Sequence, residues 1–179
     1  EANRVFVRMG PAAESGPDTS VCVYNAVGAI NVILDTNGWF GDSAAATGAQ
    51  YQAIGPSRIC DTRAGSGLQC AGHPLAALGI GVVKVAGLAG VPTGSPMVQA
   101  VIANVTAIAP TEPTYLVLYP ANLASPPVAS DVNLNARAVI PNLTVVQLDS
   151  TGGVDVGDLD LFNSSGQTNV VIDVEGWFQ

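Results

Sequence analysis

The chain has 179 residues, 48% hydrophobic and 11% charged, with six Lys plus Arg against fourteen Asp plus Glu for a formal net charge of −8. A composition rich in β-branched residues and poor in charge excludes a disordered chain, and the singly spread cations exclude the basic stripe that nucleic acid or an anionic membrane surface would need. The apolar runs are broken by Asn, Thr, Gly and Pro too often for a spanning helix of about 20 residues, so membrane insertion is not expected.

In chain order the predicted elements are strands. Strand-like runs cover Asn3–Met9, Ser20–Asn25 and Ile30–Asn37; after the small polar stretch GDSAAATGAQ come Tyr51–Pro56 and Arg58–Thr62. No signal-peptide pattern opens the chain, and Glu1 reads as the start of a processed or trimmed chain, which leaves secretion open. Next is CDTRAGSGLQC, a Gly- and Ser-rich loop bracketed by Cys60 and Cys70. A disulfide is sterically easy there and points to an oxidising compartment. With His73 the two thiols still fall short of the roughly four ligands zinc wants. HPLAALGIG makes a turn of helix at most, because no stretch of about a dozen residues keeps a 3.6-residue apolar period.

Strands resume at Gly81–Ala86, Val98–Ala109, Thr114–Tyr119, Val132–Asn135, Leu143–Leu148, Leu159–Asn163 and Asn169–Glu175. VIANVTAIA is apolar on both faces, as suits a central strand. In the last hairpin Leu159 and Leu161 share one face while Asp158 and Asp160 take the other. NAVG and NSSG, with Asn first and Gly last, read as tight connections that use a positive φ.

Internal similarity organises these elements. VYNAVGAINVILDTNGWF (Val23 to Phe40) aligns without a gap on LFNSSGQTNVVIDVEGWF (Leu161 to Phe178), at a constant offset of 138 positions that takes Asn25 to Asn163. Gly28 meets Gly166, Asn31 meets Asn169, Asp35 meets Asp173, and Gly38-Trp39-Phe40 meets Gly176-Trp177-Phe178. Upstream, NRVFVRMG resembles NLTVVQLD after a one-residue shift. One supersecondary unit is therefore used twice. Residues 1–41 hold its last three strands, 42–50 form a linker, and 51–179 hold the whole unit. Many short strands without helices predict an all-β, antiparallel β-sandwich, jelly-roll-like, with a partial repeat at the N-terminus; a closed barrel or trefoil is the rival. Three strands with one apolar face cannot bury that face alone. The sequence therefore asks for a cover over residues 1–41: the complete module, the missing part of an upstream module, or another copy.

The ordered set PSRICDTR, VKVAGLAGVP, AVIANVTAIAPTEPTYLVLYPA, SDVNLNAR, NLTVVQL and DLFNSSGQTNVVIDVEGWF resembles a repeated β-rich module of secreted and cell-surface actinobacterial proteins. Its versions read Leu-Asp-Thr-Arg near the start and Val-Asp-Val-x-Gly-Tyr-Phe at the end. The resemblance covers about Ala53 to Phe178 in full and Asn3 to Phe40 as a terminal fragment. It implies an extracellular, often tandem module attached to various enzymes and surface proteins, without catalysis of its own. The Cys60–Cys70 pair, Trp177 in a Tyr position and Cys22 depart from the pattern.

Each candidate site residue has a binding and a structural reading. Asp61 and Arg63 either grip a polar ligand or form an ion pair that anchors a strand end. Asn104 and Asn133, with Asn135, Asn142, Asn163 and Asn169, either line a carbohydrate groove or lock turns and free backbone groups. Asp155, Asp158 and Asp160 could begin a calcium site, although the ordered EF-hand and nonapeptide spacings are absent and exposed carboxylates are the plainer reading. Trp177 either stacks on sugar or plugs the end of the module. Cys22, aligned with Asp160, is an intermolecular thiol or an inert residue buried by a neighbour. His73 has no acid or nucleophile beside it in sequence to form a triad. The expectation is a non-enzymatic, cofactor-free structural or self-assembling module, secreted or at the cell surface, whose partners are other copies or neighbouring repeats. The alternative is a carbohydrate-binding module for polysaccharide.

Overall fold

The structure is a computed structural model that describes residues 4–7, 21–41, 48–93, 97–151 and 156–179. Every run that alternation marks between Tyr51 and Phe178 forms a strand: β1 (Tyr51–Asp61), β2 (Ile80–Lys84), β3 (Ala100–Ile108), β4 (Thr114–Pro120), β5 (Val132–Leu134), β6 (Val139–Gln147), β7 (Asp158–Asn163) and β8 (Asn169–Phe178). The two runs expected at Tyr51–Pro56 and Arg58–Thr62 are one strand, with register breaks between Ala53 and Ser57 and between Arg58 and Cys60. Pro56 sits in the first break. β6 starts earlier than expected and includes Pro141. Both prolines are tolerated because β1 and β6 are edge strands, where one row of backbone groups needs no partner. Among the described residues no helix forms, and none is long and apolar enough to cross a membrane.

Two antiparallel four-stranded sheets result, ordered β1-β8-β3-β6 and β2-β7-β4-β5. The pairs β1·β8, β2·β7, β3·β6 and β4·β5 describe one long antiparallel ribbon, folded at the β4–β5 connection and wound across both sheets. Inward residues from both sheets form the core: Val101, Ala103, Val105, Val170, Ile172 and Val174 on one side, Leu116, Leu118, Leu159, Leu161 and Val83 on the other. Burial of each large apolar side chain contributes about 1.5–3 kcal/mol. β3 and β8 are interior strands, which explains their near-continuous apolar sequence.

The Cys60–Cys70 disulfide is formed. It closes a short loop, a constraint of about 2–3 kcal/mol on the unfolded chain. Inside that loop Gln69 joins the two sheets. Its amide donates to the carbonyls of Ile59 on β1 (3.0 Å) and Lys84 on β2 (2.8 Å), and its oxygen accepts from the Lys84 N–H (3.0 Å).

The chain divides into a unit Arg4–Thr36 and a larger one that contains Asn37–Gln179. The strands expected at Asn3–Met9, Ser20–Asn25 and Ile30–Asn37 are absent wherever residues are described; Asn3, Met9 and Ser20 themselves lie outside the described residues. The physical reason is partnership. A strand exists through its neighbours' hydrogen bonds: β7 is flanked by β2 and β4, and β8 by β1 and β3. The opening strands β1–β5 pair within the second copy. Local geometry survives without them. The Asn25 amide donates to the carbonyls of Val27 (3.2 Å) and Gly28 (2.8 Å), as the Asn163 amide does to those of Ser165 and Gly166 (both 3.1 Å). Gly28 and Gly166 both take positive φ, +71° and +57°. The turn is encoded locally, whereas the strands are not.

Candidate functional site

β1 ends in Asp61, and the chain turns back over it. The Asp61 carboxylate accepts from the Arg63 N–H (3.0 Å), from Arg63 Nε (2.9 Å) and from Arg63 Nη2 (2.6 Å). Its backbone oxygen accepts from Ser66 Oγ (2.8 Å). Asp61 is buried while the Arg63 side chain is half exposed. Three residues earlier on β1, Arg58 donates to both oxygens of Asp173 on the neighbouring β8, at 2.8 and 3.1 Å. Asn104 of β3 lies opposite Asp173 on the other side of β8. Asp61 and Asn104 thus belong to one sheet, with Arg63 in the loop after β1, but the acceptor capacity of Asp61 is largely taken by that loop. The pair anchors the strand end.

Hydrogen bonding by Arg63 holds the Asp61 carboxyl below its ordinary value of 3.8, against the opposing push of burial. The same bond raises Arg63, and the bond to Asp173 raises Arg58. A depressed carboxyl contributes stability in full above its unfolded pKa and loses it as pH falls through the lower folded value. Thermal midpoints should therefore hold from neutral pH down to about 5 and drop below about 4. Asp61→Asn should flatten that acid limb; a melting profile as steep as wild type would contradict the assignment.

Asn133 lies elsewhere, on the short edge strand β5. With Tyr115, Asn135, Ile140 and Ser164 it lines an open groove of about 420 Å³. Tyr115 is partly exposed, with its ring 6.2 Å from that of Phe162. Asn133 Nδ2 donates to Ser130 Oγ at 3.0 Å. His73 lines a smaller cavity of about 160 Å³, with Thr62, Gln69 and the disulfide.

Trp177 is half-buried and packs against the main core. Gly176 before it is required: a Cβ there would collide with the ring of Tyr51, whose hydroxyl donates to the Glu175 carbonyl at 3.2 Å. Tyr51 in turn stacks at 5.3 Å on Phe178.

Asp158 and Asp160 point away from the main core, as the alternation requires, but they are buried, not exposed. The outer face of their sheet carries a second small apolar cluster of Val117, Tyr119 and Phe162. Asp160 faces Tyr119 across the β4–β7 pair. Burial first, then the charge and hydrogen bonding of Asp160, push the Tyr119 phenol up. Asp155 lies outside the described residues. Among the described residues no three His, Cys, Asp or Glu come together to hold a metal ion. Cys22 is a free, exposed thiol.

Two residues carry more structure than their sequence context suggests. Asp131, just before β5, is buried and bridges the sheets: its carboxylate accepts from the Leu118 N–H on β4 (2.8 Å) and from Thr144 Oγ1 on β6 (2.8 Å). Asn142 Nδ2 donates to its backbone oxygen at 2.6 Å. Fully buried Asn163 donates toward the carbonyls of Leu75 and Ala76 and accepts from Thr114 Oγ1 at 2.7 Å. An Asp that follows a Pro- and Ser-rich loop gives no sign of this role; Asn163 was signalled by the Asn-x-x-Gly turn.

Compared with protein-family models, with curated proteins and with solved structures, the chain matches none.

Proposed function

We propose that the chain is a non-catalytic structural module of a secreted or cell-surface protein, which works by associating with modules of its own kind through residues 21–41. One contrast carries this reading: the same sequence positions are covered in one copy and bare in the other. Val170, Ile172 and Phe162 are 0%, 0% and 9% exposed, whereas their equivalents Val32, Leu34 and Tyr24 are 50%, 71% and 88% exposed. Trp39 is likewise exposed. Exposed apolar side chains at so many repeated positions, on a chain with so little charge, mark an interaction surface. The disulfide supports an oxidising setting.

Sedimentation velocity tests the reading. The full chain should associate reversibly at micromolar concentration, and Leu34→Asp with Val32→Asp should suppress this without unfolding the sandwich. A strictly monomeric wild-type chain would count decisively against it. The groove beside Tyr115 favours the carbohydrate alternative, but it is open and one of its amides is tied to Ser130. Glycan-array binding lost in Tyr115→Ala would reverse the preference.

A further inference from the structure

Resting on that reading, we infer that residues 21–41 take up a separate strand set of the β1–β5 type, with the sequence pattern of residues 51–138, and in the register that β7 and β8 use in the complete module. Residues 23–40 repeat the closing strands β7 and β8, while the opening strands β1–β5 of residues 51–138 are already engaged with β6–β8. The occupant that gives the first copy the same cover is therefore a further set of opening strands.

The offset of 138 fixes the pairing. Residues 31–40 occupy the β8 place between β1-type and β3-type strands, and residues 20–25 the β7 place between β2-type and β4-type strands. Three positions in the first copy are shaped for partners it does not hold here. Gly38 has nothing within 4 Å of an added Cβ, while its equivalent Gly176 makes room for the ring of Tyr51. Asp35 repeats Asp173, the carboxylate that takes both hydrogen bonds of Arg58. Val32, Ile33 and Leu34 repeat Val170, Val171 and Ile172, all buried in β8. A glycine, a carboxylate and an apolar run, spaced as in β8, specify a tyrosine, an arginine and an apolar sheet in the occupant. Cys22 supplies a natural reporter: its equivalent Asp160 pairs with Val82 on β2.

The test is to co-refold the full chain, in a thiol–disulfide buffer, with a fragment spanning 48–138 that carries Val82→Cys. The expected product is a one-to-one covalent complex in which peptide mapping finds Cys22 joined to residue 82 of the fragment. Leu34→Asp in the full chain should reduce its yield about ten-fold or more, from the lost burial of one large apolar side chain. Asp35→Arg should reduce it too, and Arg58→Asp in the fragment should restore it. Yield indifferent to Leu34→Asp, failure of the charge exchange to rescue, or a fragment docked only on residues 161–178 would each overturn the inference. A chain that self-associates but never captures the fragment leaves the structural reading standing and removes this one. A chain that captures the fragment yet sediments alone as a monomer does the reverse.

Discussion

Asp131→Ala should lower the thermal midpoint of the sandwich by about 10 °C, the largest effect expected of any single substitution here. The carboxylate joins the sheets at the β5 edge, where β5 has only three residues and contributes little pairing of its own. Its removal leaves the Leu118 N–H and the fully buried Thr144 hydroxyl without their acceptor. Hydrogen bonds to a charged group contribute about 1.5–3 kcal/mol each, and orphaned buried donors add desolvation cost, for a loss of about 3–5 kcal/mol. Asp131→Asn keeps the shape but turns a donor toward one of those donors, so it should fall between wild type and Ala. Circular dichroism melts of the three proteins check the order, and a shift of only a degree or two for the Ala variant would contradict the clasp.

Asn163→Ala should cost about 3 kcal/mol, while Asn25→Ala should change stability by less than about 0.5 kcal/mol. The comparison is internal to one chain. Both amides close the same Asn-x-x-Gly turn. Only Asn163 also reaches Leu75, Ala76 and Thr114, tying β7 to β4 and to the segment before β2. Urea unfolding of the two variants separates the contribution of the turn from that of the neighbours. Equal losses would mean that the first copy is packed like the second.

The same contrast explains what was legible in the sequence. Apolar runs between turn residues located the strands of the module, and several alternate because a sandwich strand buries one face and a period of two records that directly. The disulfide followed from two cysteines around a small-residue loop. Asp131 was missed because its acceptors meet a donor on β4 and another on β6, a meeting that only topology arranges. Asp158 and Asp160 were placed on the correct face yet thought exposed, because the pattern of one strand does not show Tyr119 and Phe162 beside it. Residues 1–41 carry a strand pattern as clear as that of β7 and β8. Among the described ones no strand forms, because strand formation is settled by partners as well as by propensity.

Amide hydrogen exchange, measured where sedimentation shows single chains, asks most directly whether identical patterns part company for want of neighbours. Residues 169–178 should exchange with the slow, cooperative opening of the sandwich, while residues 31–40 exchange orders of magnitude faster, near the rate of an unstructured peptide. Comparable protection in both segments would show that the first copy already has its strand partners, and the account built on their absence would fail.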